Sequence, residues 1–241
     1  YGGAFVYHFD DNKVAVGFVV GLDYQNPYLS PFEEFQRFKT HPEIRKTFEG
    51  GRRIAYGARS LIEGGLQSLP KLSFKGGVLI GDAAGFLNMP RIKGIHTAMK
   101  SAMLAAEAVF PMLENLEEME SFDSGKEATD YQQRFEQSWL YQELYAARNV
   151  RPSFKWGVYL GSVYTGIDQM IFRGKAPWTL KHHGKDNEQL KKAAECKPID
   201  YPKPDGVLTF DRLSSVFLAN LAHEENQPDH LVLKNPQDRK S

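Results

Sequence analysis

The stretch LIGDAAGFLNMPRIKGIHTAMKSAMLAAEAVF, residues 79–110, decides how the fold is read. An apolar run, Gly77–Ile80, enters a Gly-Asp turn and then a long Ala-rich segment. Ala, Met, Leu and Lys are strong helix formers, and their order predicts a helix from about Gly94 to Leu113. Strand, turn and helix in succession predict an open α/β sheet, whose ligands sit beyond the carboxyl ends of parallel strands. Gly81 and Gly85 would let the backbone approach a ligand closely. The helix beginning near Gly94 would turn its positive end into the same space.

Upstream, AFVYHF and VAVGFVVGL flank the polar turn DDNK and read as a β-hairpin. The second run is nearly all apolar, as in a strand covered on both faces. Ser30 is an N-cap candidate, with Pro31 at the first helical position and Glu33 and Glu34 in the first turn. Phe32, Phe35 and Phe38 follow at helical spacing until Pro42 breaks the run. RRIAYGARS, residues 52–60, reads as another strand, and EGGLQSLPKLSFKGG, residues 63–77, as irregular chain. Downstream, residues 115–130 read as an acidic loop or helix end. Residues 130–148 and 152–173 read as helices, and the chain is extended and Pro-rich from Pro198.

A composition of 41% hydrophobic and 25% charged residues fits a globular chain. Thirty basic and 30 acidic residues give a net charge of +0, so there is no electrostatic footprint for nucleic acid. The one cysteine, Cys196, excludes an intrachain disulfide framework and any metal or cluster site built from several cysteines of this chain. The chain opens with YGGAFVYHF, inside what reads as a strand, and is read as a piece of something longer.

A carboxylate at Asp82 can accept hydrogen bonds from the vicinal hydroxyls of a ribityl or ribose chain. The positive end of the following helix suits the N1–C2=O edge of a reduced flavin. The competing reading is an ordinary strand–turn–helix in which Asp82 caps the helix. Thr97 either bonds back to its own helix or reaches toward the flavin ring. His96 reads as solvated or core. Arg91 and Lys93 add positive charge near the turn and read equally as a solvated face.

In residues 152–178, Trp156, Tyr159, Leu160, Val163, Ile167, Met170, Ile171 and Phe172 make an apolar series. Arg148, Arg151, Lys155, Arg173 and Lys175 bracket it, and Trp178 follows. Basic ends and interfacial aromatics suit a helix lying in the headgroup plane of a membrane. Asp168 and Gln169 argue against a helix that spans it. The alternative is a core helix packed through Gly157-x-x-x-Gly161. HEENQPDH, with His223, Glu224 and His230, lacks the spacing of a zinc motif because residue 227 is Gln. His182 and His183 read as a solvated basic loop that could help an acidic partner dock.

The run GGVLIGDAAGFLNMPRIKGIHTAMKSAMLAAEAVF resembles the electron-transfer flavoprotein–ubiquinone oxidoreductases. So do YGGAFVYH, VVGLDYQNPYLSPFEEFQRFKTHPEIR, GGRRIAYGARSLIEGGLQSLPKL, RNVRPSFKWG, APWTLKHHGKD and PIDYPKPDGVLTFDRLSSV, in the family's order. The resemblance implies a flavoenzyme on a membrane surface that takes electrons from reduced electron-transfer flavoprotein and passes them to ubiquinone. It implies a mixed α+β and α/β architecture: part of a glutathione-reductase-like FAD domain, and a ubiquinone-binding sheet domain with a membrane-surface helix. The implied cofactors are FAD and, in the intact parent, a [4Fe–4S] cluster. Gly81, Asp82, Gly85, Gly94 and Thr97 fall on the FAD side, and Gly2 and Gly3 on the quinone. The implied place is an inner membrane, on its mitochondrial matrix face or bacterial cytoplasmic face.

On this reading residues 1–75 are a partial ubiquinone-binding domain and 76–115 the C-terminal piece of the FAD domain. Residues 116–195 are a helical membrane-surface region, and 196–241 an extended lead-in to an iron–sulfur domain. The chain departs from the family in lacking the Gly-x-Gly-x-x-Gly pyrophosphate loop and the four cluster cysteines. The family often has another residue where Asp82 stands, so the ribityl role of Asp82 comes from flavoproteins at large. By itself the chain is expected to hold FAD weakly or not at all. A flavin monooxygenase or geranylgeranyl-reductase-like enzyme is the nearest alternative, and a non-catalytic membrane-surface module the next.

Overall fold

The computed structural model describes residues 2–114, 126–182 and 184–228. The N-terminal half holds strands β1 (Gly2–Phe9) and β2 (Lys13–Val20), helices α1 (Pro31–Lys39) and α2 (Pro42–Arg45), and short strands β3 (Ser73–Phe74) and β4 (Gly77–Val78). The one-turn helix α3 (Gly81–Ala84) then leads to the long α4 (Ile95–Glu114). Further on are α5 (Asp130–Gln137), α6 (Trp139–Ala147), α7 (Val150–Ser153), α8 (Val158–Gly166) and α9 (Arg212–Phe217).

Two compact units form, one from residues 2–58 with 190–228 and the other from residues 59–189. These differ from the four consecutive segments read from the sequence. Described residues beyond 190 bond to the N-terminal part. Lys191 N–H donates to the Gln25 carbonyl at 2.9 Å, and Asn26 Nδ2 donates to the Lys197 carbonyl at 3.0 Å. Tyr201 Oη accepts from Ser30 N–H at 3.2 Å and donates to Glu34 at 2.9 Å.

In the first unit β1 and β2 pair antiparallel, with Gly2 opposite Val20 and Phe9 opposite Lys13. The expected hairpin forms, but β2 is only half-buried. Its described neighbours are β1 and α1, where Phe18 meets Phe38 with ring centroids 5.3 Å apart. Ser30 caps α1 as expected, its Oγ accepting from Glu33 N–H at 3.3 Å. Pro42 breaks that run and also opens α2. The buried α1 residues are Gln36 and Lys39, not the phenylalanines. The Lys39 ammonium lies 5.1 and 5.0 Å from the Phe35 and Phe210 rings, and the Arg53 guanidinium 3.9 Å from Phe210. Burial first, then the Arg53 charge, bring Lys39 down to about 8.

The strand expected at residues 52–60 is absent. Arg53 instead donates to Ser215 and Ser214 at 2.7 and 3.0 Å, and Tyr56 N–H to the Leu218 carbonyl at 3.4 Å. One backbone group of this segment, Tyr56 N–H, and the Arg53 side chain thus bond to residues 214–218.

The second unit is helical around one small ribbon. The strand expected at Gly77–Ile80 shortens to β4 and pairs antiparallel with β3, a strand the sequence reading left irregular. No parallel pair occurs among the described residues, so Asp82 follows a hairpin ribbon and not a parallel strand. The core joins Leu72, Phe86, Leu104, Tyr131, Phe135, Leu140 and Leu144. Helix α4 matches the expected span to within a residue at each end. The helix expected at 130–148 breaks at Ser138, whose ψ of 162° ends α5 and starts α6.

The helix expected at 152–173 also breaks. Gly157, at φ +88°, separates α7 and a short 3₁₀ turn from α8, which ends in a π-type turn over Ile167–Ile171. The glycine pair divides accordingly. A β-carbon on Gly161 would press on Phe154 and Ser153, whereas one on Gly157 would meet nothing within 4 Å.

Candidate functional site

Helix α3 and the loop to α4 form a tightly bonded turn. Gly81, at φ +57°, donates its N–H to Ser101 Oγ at 2.9 Å, and its carbonyl accepts from Phe86 N–H at 3.2 Å. Gly85, at φ +92°, ends α3 in the left-handed region, and a β-carbon there would crowd Ile62 and Leu69. Asn88 and Lys93 close the loop through paired backbone bonds of 3.0 and 3.3 Å. The glycines expected to admit a ligand therefore sit against the chain's own atoms. Gly94 comes nearest the expected role, since a β-carbon on it would lie 3.1 Å from the Asp82 carboxylate.

Asp82 itself is exposed. It lies at the head of α4, a 20-residue helix whose first-turn N–H groups have no intrahelical partner. Thr97 follows the first of its two readings: it is fully buried, and its hydroxyl faces the carbonyls of Gly94, at 2.7 Å, and Phe86. A hydroxyl so engaged holds the loop and cannot reach into open space. His96 is neither free nor buried, for its Nε2 lies 2.7 Å from Glu143 Oε1 and its ring stacks on Trp139. Asn88 Nδ2 donates to the same oxygen at 2.6 Å. Burial pushes the Glu143 carboxyl up, but these two hydrogen bonds and the nearby charges outweigh it and hold the pKa below the usual range.

Gly2 and Gly3 belong to the other unit. A β-carbon on Gly2 would collide with the Val19 carbonyl, whereas one on Gly3 would meet nothing within 4 Å. The hairpin itself therefore requires glycine at position 2, and position 3 faces open space.

The apolar series at α8 is laid bare. Tyr159, Leu160 and Val163 are 89%, 65% and 62% exposed, and Trp156, Ile167, Ile171 and Phe172 are exposed with them. Among the α8 residues only Gly161 is buried. Asp168 is buried, within 3.4 Å of Asn149 Nδ2 and 2.8 Å of Gln169 Nε2. Arg148, expected among the bracketing cations, is instead 5% exposed. Its guanidinium donates to the carbonyls of Tyr145, Gly174, Ala176 and Trp178. The sequence reading missed this network, although an Arg-Asn pair beside the apolar run could have signalled it. His183 and His230 lie outside the described residues, as does Tyr1 of the YGG motif.

The implied groups can be tested against these residues. The exposed Asp82 carboxylate, beside Gly94 at the head of α4, fits the hydroxyl-bearing side of a flavin. A [4Fe–4S] cluster needs four thiolates, and the single Cys196 cannot supply them.

Comparison with known proteins addresses both units. Residues 1–61 match the family model described as ETF-QO, ubiquinone-binding. Residues 206–241 match the one described as electron transfer flavoprotein-ubiquinone oxidoreductase, 4Fe-4S. The mitochondrial electron transfer flavoprotein-ubiquinone oxidoreductase of Rattus norvegicus is 61% identical over 239 residues. Its Homo sapiens counterpart is 58% identical over 239 residues. These alignments cover 98% of this chain and 39% of each relative. The probable mitochondrial enzyme of Saccharomyces cerevisiae is 55% identical over 248 residues, covering 96% of this chain and 39% of the relative. No helix among the described residues is long and apolar enough to cross a membrane. Over nearly its whole length the chain is similar to electron transfer flavoprotein-ubiquinone oxidoreductases, and it spans 39% of the length of the rat and human relatives.

Proposed function

We propose that this chain works within an oxidoreductase that takes electrons from reduced electron-transfer flavoprotein and passes them through FAD to ubiquinone. One observation carries the reading: the identity to the curated relatives runs through both units and nearly the whole chain. FAD, when bound, supplies an acceptor for electrons that then pass to a quinone. In a glutathione-reductase-like arrangement, Asp82 would bond its ribityl hydroxyls, and the head of α4 would favour negative charge on the reduced ring. Gly81, Gly85 and Thr97 would act by fixing the turn that presents Asp82 and Gly94.

On the quinone side, the open space at Gly3 would admit the headgroup, and Gly2 would keep the hairpin in register. Tyr159, Leu160, Val163, Ile167, Ile171, Trp156 and Phe172 would rest in a membrane surface, which suits a substrate with a lipid-soluble tail. The relatives' names place them in mitochondria. The corresponding site for this chain would be the matrix face of the inner membrane.

The test is a chimera in which this chain replaces the matching 39% of the rat relative. Quinol should form from reduced electron-transfer flavoprotein and a short-chain ubiquinone, with Asp82→Ala lowering flavin content and Gly3→Val raising the quinone KM. A folded, flavin-loaded chimera that forms no quinol, or that oxidises a nicotinamide instead, would overturn the proposal.

A further inference from the structure

Helix α6 and the bend after the π-type turn border an open surface pocket of about 340 Å³. Tyr141, Gln142, Tyr145 and Ala146 line it from the helix, and Arg173 and Lys175 from the bend. The pocket is held in shape from three directions. Gly174 N–H donates to the Asp168 carbonyl at 2.9 Å, Arg148 Nη1 donates to the Gly174 carbonyl at 2.7 Å, and Gln169 Nε2 donates to the Ala146 carbonyl at 2.9 Å. A β-carbon on Gly174 would collide with Ala146, so bend and helix are in contact.

Neither Arg173 nor Lys175 has an acidic partner among the described residues. Arg173 also stands at φ +53°, where a β-carbon is disfavoured. Shortly before it, Met170 and Ile171 are 83% and 70% exposed. The site thus has a largely apolar wall, two exposed cations, Arg173 and Lys175, in its lining, and an apolar lip. A soluble anion would engage the cations and leave the lip in water, whereas a phospholipid would use both.

We propose that this pocket seats the phosphate of an anionic phospholipid whose acyl chains lie along Met170, Ile171 and the exposed side of α8. The Arg173 and Lys175 head groups bind the phosphate, and Gln142 and the tyrosines form the wall against which the rest of the headgroup rests. The proposal rests on the membrane-surface reading above, and the experiment separates the two.

The full chain is sedimented with vesicles of phosphatidylcholine alone, and with vesicles that also contain phosphatidylglycerol. The anionic lipid should tighten binding by roughly thirtyfold, about fivefold for each cation. Arg173→Gly with Lys175→Gln should remove that gain and leave binding to the neutral vesicles, and glycine at φ +53° cannot unfold the bend. Gln142→Trp, which fills the pocket without altering charge, should remove the gain as well. If Gln142→Trp keeps the gain, surface charge alone attracts the chain and the site is refuted. Loss of binding to the neutral vesicles in Leu160→Glu, with the anionic gain kept there and abolished in the pocket variants, supports both readings. Unchanged neutral binding in Leu160→Glu would sink the membrane-surface reading. Saturable binding of glycerol phosphate without vesicles would make this a soluble-phosphate site and overturn the lipid assignment.

Discussion

Helices α4 and α8 are both apolar in sequence, yet they bury themselves to different depths. Both pack through small residues. Thr97, Ser101, Leu104, Ala105 and Ala108 are the buried positions of α4, spaced along one face at intervals of three and four. The large side chains Ile95, Met99 and Met103 face outward. In α8 the inner face has shrunk to Gly161 on Ser153 and Phe154, and every large residue except Tyr164 is exposed. Hydropathy alone does not distinguish the two; the run of small residues does, because close backbone approach needs a continuous strip of them.

Leu104→Ala breaks the comparison hardest. Leu104 lies in the core beside Phe86 and Tyr131, so truncation should cost about 2–5 kcal/mol in urea unfolding. Leu160→Ala should change stability by no more than about 0.5 kcal/mol, since its side chain is already in solvent. Equal losses at the two sites would mean that α8 is covered in solution.

Gly161→Val is the next largest. Its first added carbon would sit 3.0 Å from Phe154 Cα, and overpacking of this kind costs about 1–3 kcal/mol. The same change at Gly3, where nothing lies within 4 Å, should be close to neutral for folding. Thermal melts of the two variants check this directly, and a destabilised Gly3→Val would show that the side of β1 taken as open is packed.

Much of this was legible in the residues. The hairpin, the Ser30 cap and α4 each follow from local signals that act over a few positions: alternation, a capping hydroxyl and helix propensity. What failed was decided at a distance. Residues 52–60 have strand-like composition, but Arg53 and Tyr56 find partners in residues 214–218, a pairing that no local window contains. The glycines of the Gly-Asp turn were read as room for a ligand, yet Ile62, Leu69 and Ala98 already stand against two of them. Arg148 was read by its neighbours in sequence as a surface cation, and the carbonyls that bury it come from residues about 26–30 positions later. The exposed character of α8 was legible because its tyrosine, tryptophan and basic ends carry an interfacial pattern of their own.

The head of α4 supplies the smallest test, and it concerns charge. Glu143 ties this end of α4 to α6 by accepting from Asn88 and facing His96; α8 is tied by neutral groups instead, Ser153 to Thr165 and Trp178 to Tyr164. Its folded pKa lies below the unfolded value of 4.5, so the folded state holds fewer protons than the unfolded state as the pH falls through that range. The associated stability is therefore complete above about pH 4.5 and is lost as the pH falls through the folded pKa. Glu143→Gln removes the titrating group, so the gap in stability between wild type and variant should close on acidification. The group is partly solvated, and screening should keep the gap under about 1 kcal/mol. Denaturation curves across the acid range measure it: a gap that stays constant with pH would mean that the carboxylate holds α4 and α6 together by shape and hydrogen bonding, with no contribution from its charge.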